Sequence, residues 1–309
     1  MPLPTSCVGA STAAIEHDVD ERWTMAYAAG IGDLNECYLD TTRAAGVVAH
    51  PLFPVCLEWP VVLDARGLVP RDLLPADELI RGVHATHDLH IHRLVRPGDR
   101  LRTTATIEGI ERRRPGAYEV LRLDTVDAAG ELVCVTRMGS LFLGVGVDGD
   151  DRPAPDPAPD HPGPGSGATP ALGSGPGPAP GDLPCWTRGI EAQAAHVYTE
   201  CARIWNPIHT DPAVAQAAGL PGIILHGTAV LAMGISHIVD AYADGDPARV
   251  RRISGRFAAM VTMPSTIEIR VLDRRPGLDD DARHDVWFEI RNADDQAALR
   301  SGRIVIADD

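Results

Sequence analysis

The stretch RIWNPIHTD at residues 203–211 is followed by the long apolar segment HGTAVLAMGISHIVDAYA at residues 226–243. The same order occurs in the first half of the chain, where GDLNECYLD at residues 32–40 precedes HPLFPVCLEWPVVLDA at residues 50–65. Both apolar segments are long enough to form buried central helices. The repeated order therefore indicates an internal duplication.

Each apolar segment is followed by long runs in which apolar and polar residues alternate. The runs lie at residues 99–111, 117–127 and 131–144 in the first half, and at residues 265–273, 284–294 and 298–307 in the second. Alternation with a period of two is typical of antiparallel strands with one buried face. A helix followed by a strand meander, found twice, predicts an α+β fold.

A segment rich in proline and glycine separates the two copies. Of residues 153–182, ten are proline and seven are glycine. Such a composition cannot bury apolar surface and is typical of a solvated tether. We expect an N-terminal half at residues 1–147, a linker at residues 148–182 and a C-terminal half at residues 183–309.

The composition of the 309-residue chain excludes several chemistries. The chain has no lysine, so it cannot form a Schiff base with a carbonyl group and has no P-loop lysine. A formal charge of −15 argues against nucleic acid or an anionic membrane as the main partner. The six cysteines form no CxxC pair and the histidines lack zinc-ligand spacing. We expect a cytoplasmic protein without a metal site, a membrane span or a signal peptide.

The second half resembles the MaoC-like dehydratase and (R)-specific enoyl-CoA hydratase-2 family. The resemblance is carried by NPIHTD at residues 206–211, PGIILHG at residues 221–227 and GRF at residues 255–257. It implies a fused double hotdog with pseudo-two-fold symmetry, in which two antiparallel sheets each wrap around a central helix. It also implies acyl thioester substrates, held in a tunnel between the halves, that gain or lose water across the α,β-bond without a cofactor.

The motif suggests a role for several side chains. His209 is the natural acid/base, because histidine titrates nearest to neutrality. Gly227, at the start of the predicted central helix, offers its N–H to the thioester oxyanion, and Asn206 shapes the loop that presents His209. Three further residues are candidates for substrate binding: His226, Tyr198 and Trp205.

One expected carboxylate is missing from the motif. The family carries an aspartate two residues before the asparagine, and Ile204 occupies this position here. Asp33, at the matching position of the first half, is one candidate replacement. Glu200 and Tyr198, just upstream of the motif, are others. Alternatively, Asp33 caps a helix or turn and His209 works alone.

The first half lacks the residues of an independent catalytic site. Tyr38 stands at the position of His209, and Phe53-Pro54 at the position of His226-Gly227. Proline has no N–H to offer an oxyanion, so we expect this half to form the tunnel wall. Its histidines at 84, 87, 90 and 92 are expected in an edge or loop near the interface rather than around a metal. Arg112, Arg113 and Arg114, at a turn, are candidates for binding phosphate.

The sequence leaves three functions open. The first is a hydratase or dehydratase of enoyl or β-hydroxyacyl substrates, bound to coenzyme A, to a carrier protein or free. The second is a polyketide-type tailoring enzyme that couples dehydration to Michael-type cyclisation, for which the missing aspartate is no handicap. The third is a non-catalytic thioester-binding or scaffold protein. A monomer acting as a pseudo-dimer and a homodimer are both compatible with the duplication.

Overall fold

A computed structural model describes residues 2–70, 82–155, 183–276 and 283–308. Most of the predicted linker, residues 156–182, lies outside the described residues. The first linker residues, 148–155, are described and pack on the first half. The Arg152 N–H donates to the Ile110 carbonyl group, and the Arg152 carbonyl group accepts the Ile110 N–H, both at 2.8 Å. The limits proposed for the two halves stay a prediction.

Within the described residues, the first half contains three α-helices and seven strands, three of which form the predicted meander. Its helices are α1 (Glu21–Gly30), α2 (Glu36–Leu39) and α3 (Pro54–Ala65). Its strands are β1 (Leu3–Pro4), β2 (Ile15–Asp18), β3 (Gly82–Ile91), β4 (Arg100–Arg113), β5 (Gly116–Asp127), β6 (Leu132–Leu143) and β7 (Val147–Asp148). Helix α3 begins later than residue 50 because Pro54 takes the first helical position, where its missing N–H costs no hydrogen bond.

The second half repeats this arrangement. Its helices are α4 (Ala194–Ala202), α5 (Pro212–Ala217) and α6 (Gly227–Tyr242). Its strands are β8 (Cys185–Ile190), β9 (Val250–Phe257), β10 (Ser265–Pro276), β11 (Arg283–Arg291) and β12 (Ala297–Ala307). Both predicted central helices and all six predicted meander strands are therefore present. The α+β class and the duplication are confirmed.

Ten strands from the two halves join into one sheet, whereas β1 and β7 pair separately. Within the described residues, ten strands follow the order β2-β4-β5-β6-β3-β9-β12-β11-β10-β8. The halves meet at the antiparallel pair β3–β9, where Leu89 lies opposite Ile253. The two sheets expected from the sequence are thus continuous across the pseudo-two-fold axis.

The two central helices pack against this sheet, α3 against β4 and α6 against β11 and β12. The main core contains buried residues of both halves, such as Leu57 of α3 and Ile235 of α6, both 0% exposed. A shared core means that the halves can position each other's side chains. No helix within the described ranges has the length and apolar character needed to cross a membrane.

Candidate active site

His209 lies in a single 3-10 turn, Pro207–His209, in the connection between α4 and α5. Its ring is buried, with 9% of the residue exposed. Nδ1 lies 2.8 Å from the carbonyl oxygen of Ile224. Because a carbonyl oxygen only accepts, Nδ1 carries the proton and the neutral ring leaves Nε2 as a base. Burial lowers the pKa of His209, and the bond to Ile224 opposes this effect.

His226 forms a stack with His209. The ring centroids are 3.6 Å apart and the ring planes differ by 25°. His226 is buried, and its Nε2 lies 3.4 Å from the Ile204 carbonyl oxygen. Burial, and then the neighbouring His209, lower the pKa of His226 well below its usual value. The stack therefore consists of two neutral imidazoles near pH 7, and a proton arriving at the pair goes to His209.

Gly227 is the first residue of α6, directly after His226. The N–H groups of a first helical turn have no intrahelical partner and carry the positive end of the helix dipole. A Cβ atom at this position would lie 2.9 Å from Cδ1 of Phe257, so the Phe257 ring packs closely on the helix start. The arrangement of a free amide beside a buried base suits an oxyanion site.

Two hydroxyl groups lie beside the helix start. Tyr198 is buried, with its ring centroid 4.9 Å from that of His226. Its hydroxyl group donates to Oγ1 of Thr228 at 3.0 Å. Burial raises the pKa of Tyr198 above its usual range, so the phenol stays protonated. Thr228 was not among the sequence-predicted residues, although it follows Gly227 directly in the chain.

The structure does not bring Asp33 to His209. The Asp33 carboxylate accepts the Asn35 N–H at 3.1 Å, and the Asn35 side chain donates to the Gly245 carbonyl group at 3.0 Å. Gly245 lies beyond the C-terminal end of α6, whereas Gly227 begins that helix. Sixteen helical residues span about 24 Å. Direct pairing of Asp33 with His209 does not fit this arrangement, whereas the predicted role in a turn does.

Of the other predicted residues, Glu200 and Trp205 are exposed, whereas Asn206 is at least half-buried and lies in the loop that holds His209. Glu200 is exposed on α4, because it lies two residues after the buried Tyr198 and so points away from the core. Trp205 is 57% exposed. Asn206 is half-buried, and its carbonyl group accepts the His209 N–H at 3.1 Å, which supports its predicted role in shaping the loop. Ile204 is buried and contributes its carbonyl group, which lies near His226.

The histidines of the first half do not form an edge or loop cluster as expected. His84, His87 and His90 lie on β3, the strand that joins the two halves. The His84 ring centroid lies 4.7 Å from that of Phe257, so this strand reaches the start of α6. Within the described ranges, no group of three or more potential ligands is placed to hold a metal ion.

The first half has its own buried polar group at the matching place. Tyr38 is 1% exposed, and its ring centroid lies 5.6 Å from that of His50. His50 Nδ1 accepts the Leu52 N–H at 3.0 Å, and burial lowers the pKa of this histidine to about 4. Pro54 begins α3 and offers no N–H. Among the described residues, the start of α3 therefore lacks the combination found at the start of α6, which is two stacked histidines before a backbone N–H.

Two family models match different halves of the chain. The model "MaoC like domain" matches residues 187–280, and "FAS1-like, dehydratase domain region" matches residues 6–136. The second half thus contains a MaoC-like dehydratase domain, and the first half contains a FAS1-like dehydratase region. The peroxisomal enoyl-CoA hydratase 2 of Arabidopsis thaliana is 43% identical over 63 residues, which cover 20% of this chain and 20% of the plant enzyme. The matched stretch thus spans a fifth of that relative.

Solved structures of MaoC-like proteins share the fold of the whole chain. A MaoC-like dehydratase from Phytophthora capsici has a TM-score of 0.76 at 19% identity, and the match covers 97% of this chain and 96% of that one. A Mycobacterium tuberculosis protein described as a double hotdog has a TM-score of 0.60 at 16% identity, with 97% and 96% covered. These similarities confirm that the chain has the double hotdog fold.

Proposed function

We propose that the protein hydrates enoyl thioesters, or dehydrates 3-hydroxyacyl thioesters, at the start of α6. The observation that carries the proposal is the stacked His209–His226 pair, held as two neutral rings directly before the free amide of Gly227. The name of the plant relative, an enoyl-CoA hydratase 2, supports the same reaction. The substrate is an acyl thioester and the reaction uses no cofactor.

The chemistry requires one base and one oxyanion site. In dehydration, Nε2 of His209 removes the α-proton, and the electron pair moves onto the thioester oxygen, where the Gly227 N–H stabilises the negative charge. When this enolate collapses, the β-hydroxyl group leaves with the proton that His209 returns, so that one water forms for each enoyl product. Hydration is the reverse sequence.

The hydroxyl pair Tyr198–Thr228 takes the place of the missing carboxylate. Its 3.0 Å hydrogen bond fixes both groups beside the oxyanion site. A hydroxyl group can both donate and accept, so this pair can hold a water molecule or the β-hydroxyl group of the substrate. It cannot remove a proton near pH 7, because the pKa of Tyr198 is raised by burial. His209 therefore remains the base.

The proposal is tested by offering purified protein crotonyl-CoA and 3-hydroxybutyryl-CoA and following the absorbance of the enoyl thioester. We expect interconversion of the two. Because burial lowers the pKa of His209, activity should persist at pH values below 6.5, the usual pKa of histidine. No turnover of either thioester at any pH would contradict the proposal.

Among the described residues, His209 forms no hydrogen bond or ion pair with a carboxylate, and this favours one second candidate. A cyclase that removes water and then closes a ring by Michael-type addition needs the base and the oxyanion site, but no activated water. Ile204, buried where the family carries an aspartate, suits such a reaction. Irreversible consumption of a hydroxylated polyketide thioester, with no hydration of crotonyl-CoA, would distinguish this function.

A further inference from the structure

We infer that Arg203 is a positioning residue, which holds the loop of His209 in place by resting its guanidinium group on the Trp23 ring of the first half. The inference rests on the proposed function, because it concerns how the base of that reaction is kept beside the start of α6. Its evidence is the backbone conformation of Arg203, the contact with Trp23, and the hydrogen bonds that lead from this turn to His209.

Arg203 directly follows the last residue of α4 and adopts the left-handed backbone conformation, with φ 58° and ψ 34°. A residue other than glycine rarely adopts this conformation, because its Cβ atom comes close to the following carbonyl oxygen. Glycine, which has no Cβ atom, adopts it without strain. The backbone of this turn therefore favours glycine over arginine.

The first half builds the same turn with glycine. Gly32 stands at the position that matches Arg203 and has φ 67°. The two turns also close alike, since the N–H of the next residue donates to a carbonyl group five positions back, at 2.9 Å for Asp33 and at 3.1 Å for Ile204. The fold thus uses the left-handed conformation in both halves. An arginine in place of the glycine is explained by a contact that only its side chain can make.

The Arg203 side chain makes such a contact with the first half. Its Cζ atom lies 4.0 Å from the ring centroid of Trp23, a buried residue of α1. A guanidinium group is attracted to the face of an indole ring. Trp23 in turn packs edge-to-face on Phe53, directly before α3, with ring centroids 5.1 Å apart. The turn after α4 is therefore held against two helices of the other half.

Hydrogen bonds connect this turn to the histidine pair. The carbonyl group of Ile204, the residue after Arg203, accepts the Asn206 N–H at 3.2 Å and lies 3.4 Å from Nε2 of His226. The Asn206 carbonyl group accepts the His209 N–H at 3.1 Å. Because the torsion angles of Arg203 set the direction in which the chain continues, a shift at Arg203 displaces both histidines.

Two explanations of the turn make opposite predictions for Arg203→Gly. If only the backbone conformation matters, this variant should keep full activity, since glycine adopts a positive φ without strain. If the contact with Trp23 holds the loop, the variant should lose activity although its backbone suits the fold. Arg203→Gln removes the contact and keeps the strain, so both explanations predict a loss for it.

The test compares Arg203→Gly, Arg203→Gln and Arg203→Lys with Arg66→Gln. Arg66, directly after α3, lies over the Trp59 ring at 5.9 Å and provides a matched arginine–tryptophan contact. We expect kcat for crotonyl-CoA to fall about tenfold in Arg203→Gly and Arg203→Gln, because even a small displacement of a base is costly, while KM stays unchanged. Arg203→Lys keeps a cation and should recover part of kcat, and Arg66→Gln should change neither value.

A second readout does not depend on turnover. Diethyl pyrocarbonate modifies histidine rings, and the chain has no lysine to compete for it. We expect His209 to react about fivefold faster in Arg203→Gly and Arg203→Gln than in the wild type, which is the scale on which one exposed cation–π contact shifts an equilibrium. The exposed His92 should react at the same rate in every variant. Mass spectrometry of the modified peptides measures these rates.

Full activity of Arg203→Gly would overturn the inference, since the backbone alone would then explain the turn. An equal fall of kcat in Arg66→Gln would also overturn it, as would unchanged labelling of His209 in both Arg203→Gly and Arg203→Gln. The labelling separates this inference from the proposed function. If these variants expose His209 but the wild type transforms no thioester, the positioning role stands and the proposed reaction fails.

Discussion

At the scale of single residues, one added methyl group at Gly227 should already impair catalysis. Gly227→Ala adds a methyl group that would lie 2.9 Å from Cδ1 of Phe257, so either the ring or the helix start must move. We expect kcat for crotonyl-CoA hydration to fall at least tenfold, about 1.4 kcal/mol in barrier height, while circular dichroism stays unchanged.

A matched control separates crowding from loss of a glycine as such. A Cβ atom at Gly222, in the loop before α6, would meet no atom within 4 Å. Gly222→Ala should therefore keep full activity. Phe257→Leu in the Gly227→Ala background should recover part of kcat. Full activity of Gly227→Ala alone would show that the amide does not require this close packing.

The sequence motif identified some residues of the candidate site but not a carboxylate partner for His209. The resemblance suggested His209 as the acid/base, Gly227 as the oxyanion donor and His226 as a substrate-binding residue. In the structure His209 stacks on His226, which directly precedes Gly227. The carboxylate could not be found in this way, because Asp33 is separated from His209 by the length of α6. Glu200 fails for a local reason. Residues two positions apart on a helix face different directions, so Tyr198 can point inward only if Glu200 points outward.

At the scale of elements, the β3–β9 pair decides whether the two halves act as one. Asp88 of β3 and Arg252 of β9 form a paired-donor ion pair across this junction, with distances of 2.7 and 2.8 Å. Their side chains are only 15% and 10% exposed. We expect Asp88→Asn to lower the free energy of unfolding by about 3 kcal/mol, because the largely buried Arg252 guanidinium loses its paired-donor bonds to a carboxylate. Urea denaturation measures this change.

An exposed pair provides the control for this prediction. Asp18 lies 3.3 Å from Arg100, and these side chains are 85% and 82% exposed. Asp18→Asn should change the free energy of unfolding by less than about 1 kcal/mol. Equal effects of the two substitutions would mean that the junction contributes no more than a surface ion pair.

Some strands could be predicted from the sequence pattern and others could not. The meander strands β4, β5 and β6 were predicted because their apolar residues alternate over a long stretch. Strand β3 was missed, since histidine occupies positions 84, 87 and 90, where an apolar residue or a clear alternation would have indicated a strand. The pairing of β3 with β9 joins segments far apart in the chain, and no local pattern encodes it.

At the scale of the whole molecule, buried acids should make stability depend on pH. Glu58 of α3 is 4% exposed and accepts a hydrogen bond from the Thr136 hydroxyl group. Burial raises its pKa from 4.5 to about 7. Because the folded state binds this proton more tightly than the unfolded state does, the protonated carboxyl group contributes its full stabilisation below pH 4.5. This contribution is lost as the pH rises through 7. The loss amounts to about 3 kcal/mol.

Glu58→Gln keeps the shape and the acceptor but cannot ionise. We expect this variant to be more stable than the wild type at pH 8 by up to about 3 kcal/mol, with little difference at pH 4.5. Thermal or urea unfolding at the two pH values measures the change. Glu16→Gln, at an exposed position, should alter neither value. A wild-type protein as stable as Glu58→Gln at pH 8 would contradict the prediction.

The most direct test of the central claim is the kcat of His209→Gln for crotonyl-CoA hydration, measured beside the wild type and with the fold checked by circular dichroism. Glutamine retains a donor for the Ile224 carbonyl group but cannot accept and return a proton. If His209 is the base at the start of α6, kcat should fall by a factor of 100 or more, on the order of general-base catalysis. A His209→Gln variant that keeps the wild-type kcat would contradict the assignment of His209 as the base.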